Sequence, residues 1–243
     1  MEFCAHRGYC RIAPENTVPA FVAAIENGYT RIETDPAYTK DGEIVLIHDS
    51  TLNRTCRNKD GSVIANPTYL SELTYSELCE FDAGIAFSEE FRQIKVPRLD
   101  ELLVLASASK TILELDKKIP TDAIEPLVRL VASYDVCAEF SVCDVARAER
   151  ILSIMPSARI LYDGNTRDED LREICALVPR EQLTVYMYYD NPNFAWLTDR
   201  MKASRENCAR VKRYARLGIA NILNTDEMRE AIEFGADIIQ LFT

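Results

Sequence analysis

Short β-rich runs alternate with amphipathic segments along nearly the whole chain. Runs at 3–7 (FCAHR), 31–36 (RIETDP), 111–116 (TILELD), 137–142 (CAEFSV), 159–162 (RILY), 183–188 (LTVYMY), 219–223 (IANIL) and 237–241 (DIIQL) read as strands. Between the first two, Val18, Phe21, Val22 and Ile25 recur at i, i+3, i+4, i+7 and so share one helix face. Thr17 is the predicted N-cap of that helix, Pro19 falls in its tolerant first turn, and Gly28 closes it. Asp144 should cap a helix whose Val145, Ala148, Leu152 and Met155 face the core. A third helix over 226–234 stops at Gly235, and Pro126 places a helix start near Glu125.

A ninth apolar run, 43–48 (EIVLIH), follows strand 31–36 after a short link containing Asp41-Gly42. A parallel crossover needs a dozen or more residues, so this pair is expected to be an antiparallel hairpin. The eight remaining strands alternate with helices, which predicts a closed (β/α)8 TIM barrel; about 250 residues is usual for that fold. An open doubly wound sheet would want a glycine-rich dinucleotide loop, and the sequence has none. Residues 49–97 break the rhythm with turn-prone sequence (NRTCRNKDGSVIANP) and one helical piece near 71–81. They read as a small insertion over one end of a single barrel domain spanning 1–243.

Composition narrows the partners. Acidic residues outnumber basic ones 39 to 28, a net charge of −11, which argues against nucleic acid or an anionic membrane surface. No apolar run approaches the ~18 residues of a membrane span, so no stable membrane insertion is expected. The opening MEFCAHRG has neither the basic nor the apolar region of a signal peptide, and a cytoplasmic location is expected. Eight scattered cysteines without a Cys-x-x-Cys pair fit buried thiols in a reducing compartment. An acidic protein that handles phosphate needs local cations, and a divalent metal supplies them economically.

In a barrel, reactive groups belong at the C-terminal ends of the strands. There lie His6 and Arg7 on the first strand, Glu33 and Asp35 on the second, and Glu114 in the TILELD run. His48, the only other histidine, ends the hairpin run. Singly, each has an ordinary reading: a solvated Glu-x-Asp face, an inward carboxylate paired with an arginine, a structural histidine. Together they would converge on one rim. Three carboxylates make a hard-oxygen site for Mg²⁺ or Ca²⁺. Two histidines beside it suit proton transfer in phosphoryl chemistry, and Arg7 suits a phosphate fork.

The ordered motifs HRG (6–8), PENT (14–17), AFVAAIENG (20–28), IETD (32–35), TKDG (39–42), IHD (47–49) and LNRT (52–55) resemble the glycerophosphodiester phosphodiesterase family. VPRLDELL (96–103) and ILELD (112–116) extend the resemblance, which weakens beyond about residue 145. It implies a phosphodiesterase barrel with a small insertion. It further implies His6 and His48 as the general acid/base pair, Arg7 as phosphate clamp, and Glu33, Asp35 and Glu114 as ligands of one divalent cation. The implied reaction releases glycerol 3-phosphate and an alcohol from a small-molecule glycerophosphodiester. A lysophospholipase D-like activity and a catalytically silent phosphate-ester-binding barrel are the alternatives. Glu15 and Asn16 are expected to brace the rim.

The sequence departs from the family in three places. Asp116 stands where the family has a lysine; alternation points Asp116 inward and Lys117 away. ANILNT (220–225) replaces a Trp-Thr-Val-Asn strand, and IIQLFT (238–243) replaces a terminal Ile-Thr-Asp. The aromatic stretch YMYYDNPNFAW (186–196) is expected to line the pocket or the core.

Overall fold

A computed structural model describes residues 1–190 and 197–242. Its strands are β1 (Glu2–His6), β2 (Arg31–Thr34), β3 (Pro36–Tyr38), β4 (Ile44–Leu46), β5 (Arg57–Asn58) and β6 (Phe81–Asp82). They continue with β7 (Ile112–Leu115), β8 (Ala138–Val142), β9 (Arg159–Tyr162), β10 (Leu183–Tyr188), β11 (Arg216–Ile222) and β12 (Ile238–Leu241). Eight of them close into a parallel barrel in the order β1-β2-β7-β8-β9-β10-β11-β12 and back to β1. With helices between the staves this is the (β/α)8 architecture the alternating pattern predicts.

The helices are α1 (Val18–Glu26), α2 (Tyr75–Leu78), α3 (Leu99–Ser109), α4 (Glu125–Ala132), α5 (Val145–Ile154), α6 (Asp168–Leu177), α7 (Arg205–Lys212) and α8 (Thr225–Glu233). None of the described residues forms a helix long and apolar enough to cross a membrane. The main core fills the space between strands and helices, with Phe21, Ile32, Leu102, Leu113, Phe140, Ile160, Val185 and Ile219 buried in it. On α1 the fully buried positions are Ala20, Phe21 and Ala24, while Val18, Val22 and Ile25 are half-buried. The alanines let α1 lie close against the β1 loop. A Cβ on Gly8, whose φ is +86°, would stand 2.8 Å from Ala20, so only glycine fits that crossing.

Several local expectations are corrected. Thr17 occupies the N-cap position of α1, but its hydroxyl donates to the Pro14 carbonyl and makes no side-chain cap. Asp144 does cap α5, accepting the Arg147 N–H at 2.8 Å. The buried face of α5 is Arg147, Ala148 and Ile151, because Arg147 turns inward to donate to the Ser141 and Ile119 carbonyls. The hairpin partner of the EIVLIH run is not the barrel strand. Pro36 has no N–H to give the barrel ladder, so the chain leaves β2 after Thr34 and pairs antiparallel as β3 with β4.

Within residues 49–97 the helical piece shrinks to α2, opened by a capping box between Thr74 and Glu77. Here Leu52, Cys56, Ile64, Leu70, Leu78 and Val96 form a second small core with Val45 and Ile47. All eight cysteines are free, but only Cys4, Cys56 and Cys208 are buried, and Cys143 is exposed.

Candidate active site

The barrel's C-terminal rim surrounds a cavity of about 370 Å³. His6, Arg7, Glu33, Asp35, His48 and Glu114 all line it, as do Asp116 and Lys117. The staves explain the convergence. His6 lies beside Glu33 in the β1–β2 register, and Glu33 beside Glu114 in the β2–β7 register. The β3–β4 hairpin then carries His48 back over the same rim.

The loop after β1 is bent to serve the site. Arg7 adopts a left-handed φ of 59°, Gly8 follows at 86°, and Asn16 sits at 54°. Such backbone is costly for non-glycine residues and persists where the surroundings over-determine it. Here the Arg7 N–H donates to the Glu33 carbonyl, and its guanidinium lies 3.1 Å from both Glu15 and Asp35. Asn16 donates to Asp35 at 2.7 Å and accepts the Thr34 hydroxyl at 2.7 Å. Glu15 also accepts a fork from Arg54, which reaches Asp49 beside His48. Pro-Glu-Asn-Thr thus braces both halves of the rim.

The two histidines sit in different settings. His6 is half-buried and packs against Phe242, the rings tilted by 43° with centroids 4.2 Å apart. Burial, with Arg7 alongside, depresses its pKa to about 3, so the imidazole is neutral at physiological pH. His48 is more open, and its Nδ1 lies 2.6 Å from Asp49. Such a carboxylate orients the ring.

The carboxylates divide by what faces them. Asp35 is held by Lys118 at 2.9 Å, Arg7 and Asn16; against the opposing effect of burial they lower its pKa. Glu114 accepts from Arg31 at 2.6 Å and from the Tyr186 hydroxyl at 2.9 Å. Burial still raises its pKa. Gly218 makes room for this contact, since a Cβ there would strike the Tyr186 ring at 2.7 Å. Glu33 accepts the Arg7 N–H at 3.2 Å and lies 3.8 Å from His6 Nε2. No lysine or arginine pairs with it among the described residues. Burial first, then Asp35 and Asp116, push its pKa well above the usual carboxylate range.

Do these residues fit a divalent cation? As placed, no three histidine, cysteine, aspartate or glutamate side chains among the described residues are gathered closely enough to hold one. The reason is visible: Lys118 and Arg7 occupy Asp35, and Arg31 occupies Glu114. In kind the donors fit. They are hard oxygens, carboxylates retain spare lone pairs, and the negative charge crowding Glu33 is what a dication would neutralise.

Lys117 corrects the alternation rule. It was expected to point away, yet it lines the cavity and pairs with Asp163. Alternation holds only within a strand, and β7 ends at Leu115. Lys118 likewise folds back, donating to the His48 carbonyl. Sequence reasoning missed Ser141, Asp163, Asn221, Gln240 and Phe242, all of which line the cavity. A polar residue closing a strand was the available signal, clearest at Asp163 after RILY. Of the aromatic stretch, Tyr186 and Tyr188 line the cavity, and residues 191–196 lie outside the described residues.

Comparison with known proteins agrees with this fold. A glycerophosphodiester phosphodiesterase of Caldanaerobacter subterraneus is 38% identical over 135 residues, covering 54% of this chain and 52% of that protein. Human glycerophosphodiester phosphodiesterase 1 is 37% identical over 99 residues, covering 40% and 28%. The chain spans about half the length, or less, of the curated relatives it matches. An Oleispira antarctica phosphodiesterase, solved with its product sn-glycerol-3-phosphate, superposes with a TM-score of 0.80 at 18% identity, covering 100% and 93%. A glycerophosphodiester phosphodiesterase of Agrobacterium tumefaciens gives 0.70 at 23% identity, covering 100% and 95%. At such identities the superpositions establish the fold. The model of the glycerophosphoryl diester phosphodiesterase family matches residues 6–170. That stretch begins at His6 and runs past Asp163, so it holds every ionised side chain that converges on the cavity, and the chain belongs to the glycerophosphoryl diester phosphodiesterase family.

Proposed function

We propose that the chain hydrolyses glycerophosphodiesters to glycerol 3-phosphate and an alcohol, with a divalent cation, Mg²⁺ or Ca²⁺, held at Glu33, Asp35 and Glu114. The observation that carries this reading is the cavity itself. Both histidines, Arg7 and the carboxylates of Glu33, Asp35 and Glu114 line one rim, beside Asp116 and the Lys117–Asp163 pair. A bound dication would neutralise the charge of the phosphoryl oxygens.

The chain's own residues divide the remaining work. Arg7, pre-set by Glu15, presents its guanidinium to the phosphate. His6, neutral through burial, takes the proton from the glycerol hydroxyl that attacks phosphorus. His48, oriented by Asp49, gives a proton to the departing alcohol oxygen. The same pair, with roles exchanged, then lets water open the cyclic phosphate to glycerol 3-phosphate. Phe242 covers one face of His6 and limits water around it.

Among the described lining residues only Leu115, Leu161 and Phe242 are aliphatic or phenyl groups. That lining favours a short polar headgroup over the acyl chain of a lysolipid. The test is release of glycerol 3-phosphate from glycerophosphoethanolamine, glycerophosphocholine and a glycerol-headed diester, with EDTA, Mg²⁺ or Ca²⁺ present. Turnover abolished by EDTA and restored by one cation is expected. No turnover in any condition would contradict the reading and favour a silent binder.

A further inference from the structure

The diesterase reading uses the β1–β2 side of the cavity and assigns nothing to the opposite wall. Counted from β1 around the barrel, β9 is the fifth of eight strands, diametrically across, and Asp163 follows it directly. Asp163 lines the cavity and is only 5% exposed. Its Oδ2 is shared by Lys117, the Ser141 hydroxyl at 3.3 Å and the Tyr188 hydroxyl at 3.5 Å. Its Oδ1 is buried and has no hydrogen-bond partner among the described residues. Asp116, just past the end of β7, lies between this wall and Glu33, 4.0 Å from the same Lys117 ammonium. Two carboxylates therefore face one lysine, which leaves the wall with a surplus negative charge as well as an unsatisfied acceptor.

An unpaired buried acceptor is unfavourable, and a ligand that brings a donor relieves it. Phosphate and glycerol are engaged at Arg7 and the histidines, so the group that spans the cavity is the alcohol half of the diester. We propose that Asp163, assisted by Asp116, binds a primary ammonium on that alcohol, so that the site selects aminoalcohol headgroups. This inference rests on the diesterase reading. A primary ammonium offers charge and three N–H donors together. A quaternary ammonium answers the charge but brings no donor, and a neutral polyol brings donors without charge.

The experiment compares kcat/KM for glycerol phosphodiesters with ethanolamine, choline and glycerol headgroups, in the wild type, Asp163→Asn and Asp116→Asn, at one cation concentration. The wild type should favour ethanolamine over glycerol by about tenfold or more, with choline between, as one charge-assisted hydrogen bond implies. Asp163→Asn should lower the ethanolamine-to-glycerol ratio at least about fivefold, mostly through KM, and Asp116→Asn should lower it less. A wild-type ratio near one, or a ratio that survives Asp163→Asn, would overturn the proposal. Should Asp163→Asn fail to fold, the partly exposed Asp116 decides, and an unchanged ratio in Asp116→Asn overturns it equally. Turnover without headgroup preference removes this inference alone; no turnover of any diester removes the diesterase reading and this inference with it.

Discussion

Arg31 and Glu33 lie two residues apart on β2, and both side chains enter the barrel, yet their charges are answered in opposite ways. Arg31 is fully buried, 2.6 Å from Glu114, 2.5 Å from Glu139 and 2.8 Å from Glu2. Burial works against its charge, and Glu114 and Glu139 outweigh it, so the guanidinium is held firmly protonated. Arg159 and Arg216 complete the cluster by pairing with Glu139 and Glu2. One layer higher, Glu33 meets Asp35, Asp116 and Glu114 with no lysine or arginine paired to it among the described residues. The lower cluster answers its own charges and holds the barrel. The upper one crowds carboxylates around Glu33 with no cation paired to it, and the crowding favours the protonated form of Glu33. Polar groups inside a barrel thus announce function less by being charged than by being left uncompensated.

Four perturbations break or sharpen that contrast. The largest effect is expected at the rim: His6→Ala or His48→Ala should lower kcat by roughly 10²–10⁴-fold, the scale of a lost general acid or base. Steady-state kinetics would decide, and near wild-type turnover in either variant would remove its assigned role. Stability of both variants should stay close to wild type.

The lower cluster should respond the other way. Arg31→Met leaves Glu114 and Glu139 buried without their main cation, which costs about 3–5 kcal/mol of stability. Chemical denaturation would measure it, and a loss under about 1 kcal/mol would mean that the cluster does not hold the barrel.

Next in size is a pH effect of known sign. With its folded pKa raised above 4.5, Glu33 binds more protons folded than unfolded, so the metal-free protein should lose stability as pH rises above about 4.5. Asp35, with its pKa lowered below 3.8, works oppositely and loses its contribution as pH falls. Glu33→Gln should remove the first slope, making that variant progressively more stable than wild type toward neutral pH. Melting temperature against pH, in EDTA, would show it; a difference independent of pH would contradict the crowding described at Glu33.

The smallest effect is expected at the mouth. Asp116→Lys should tighten binding of inorganic phosphate by about 1 kcal/mol, or about fivefold, as it exchanges an anion for a cation at a partly exposed position. Unchanged or weaker phosphate inhibition would mean that Lys117 and Lys118 already supply the needed charge.

Much of this molecule was legible in its sequence for a physical reason. Barrel strands are short, buried and evenly spaced, so their period survives in the order of residues. His6, Glu33, Asp35 and His48 stood out because chemistry-bearing side chains closed those runs. What stayed hidden depends on distant partners. Nothing in RIET marks Arg31 as the hub of a cluster, since Glu114 lies 83 residues away. Lys117 escaped because alternation stops where β7 stops, and Asp163 because the family motifs thin out before it. The split of strand 31–36 at Pro36 was readable, since proline cannot continue a central ladder.

The contrast between the two clusters is tested most directly by titrating the purified, EDTA-treated protein with Mg²⁺ and Ca²⁺ in a calorimeter, wild type beside Glu33→Gln. Wild type should bind one divalent cation with release of a proton, and Glu33→Gln should bind it at least about tenfold more weakly without that release. Equal affinity in the two proteins, or no binding to either, would contradict the claim that the upper cluster is built to hold a cation.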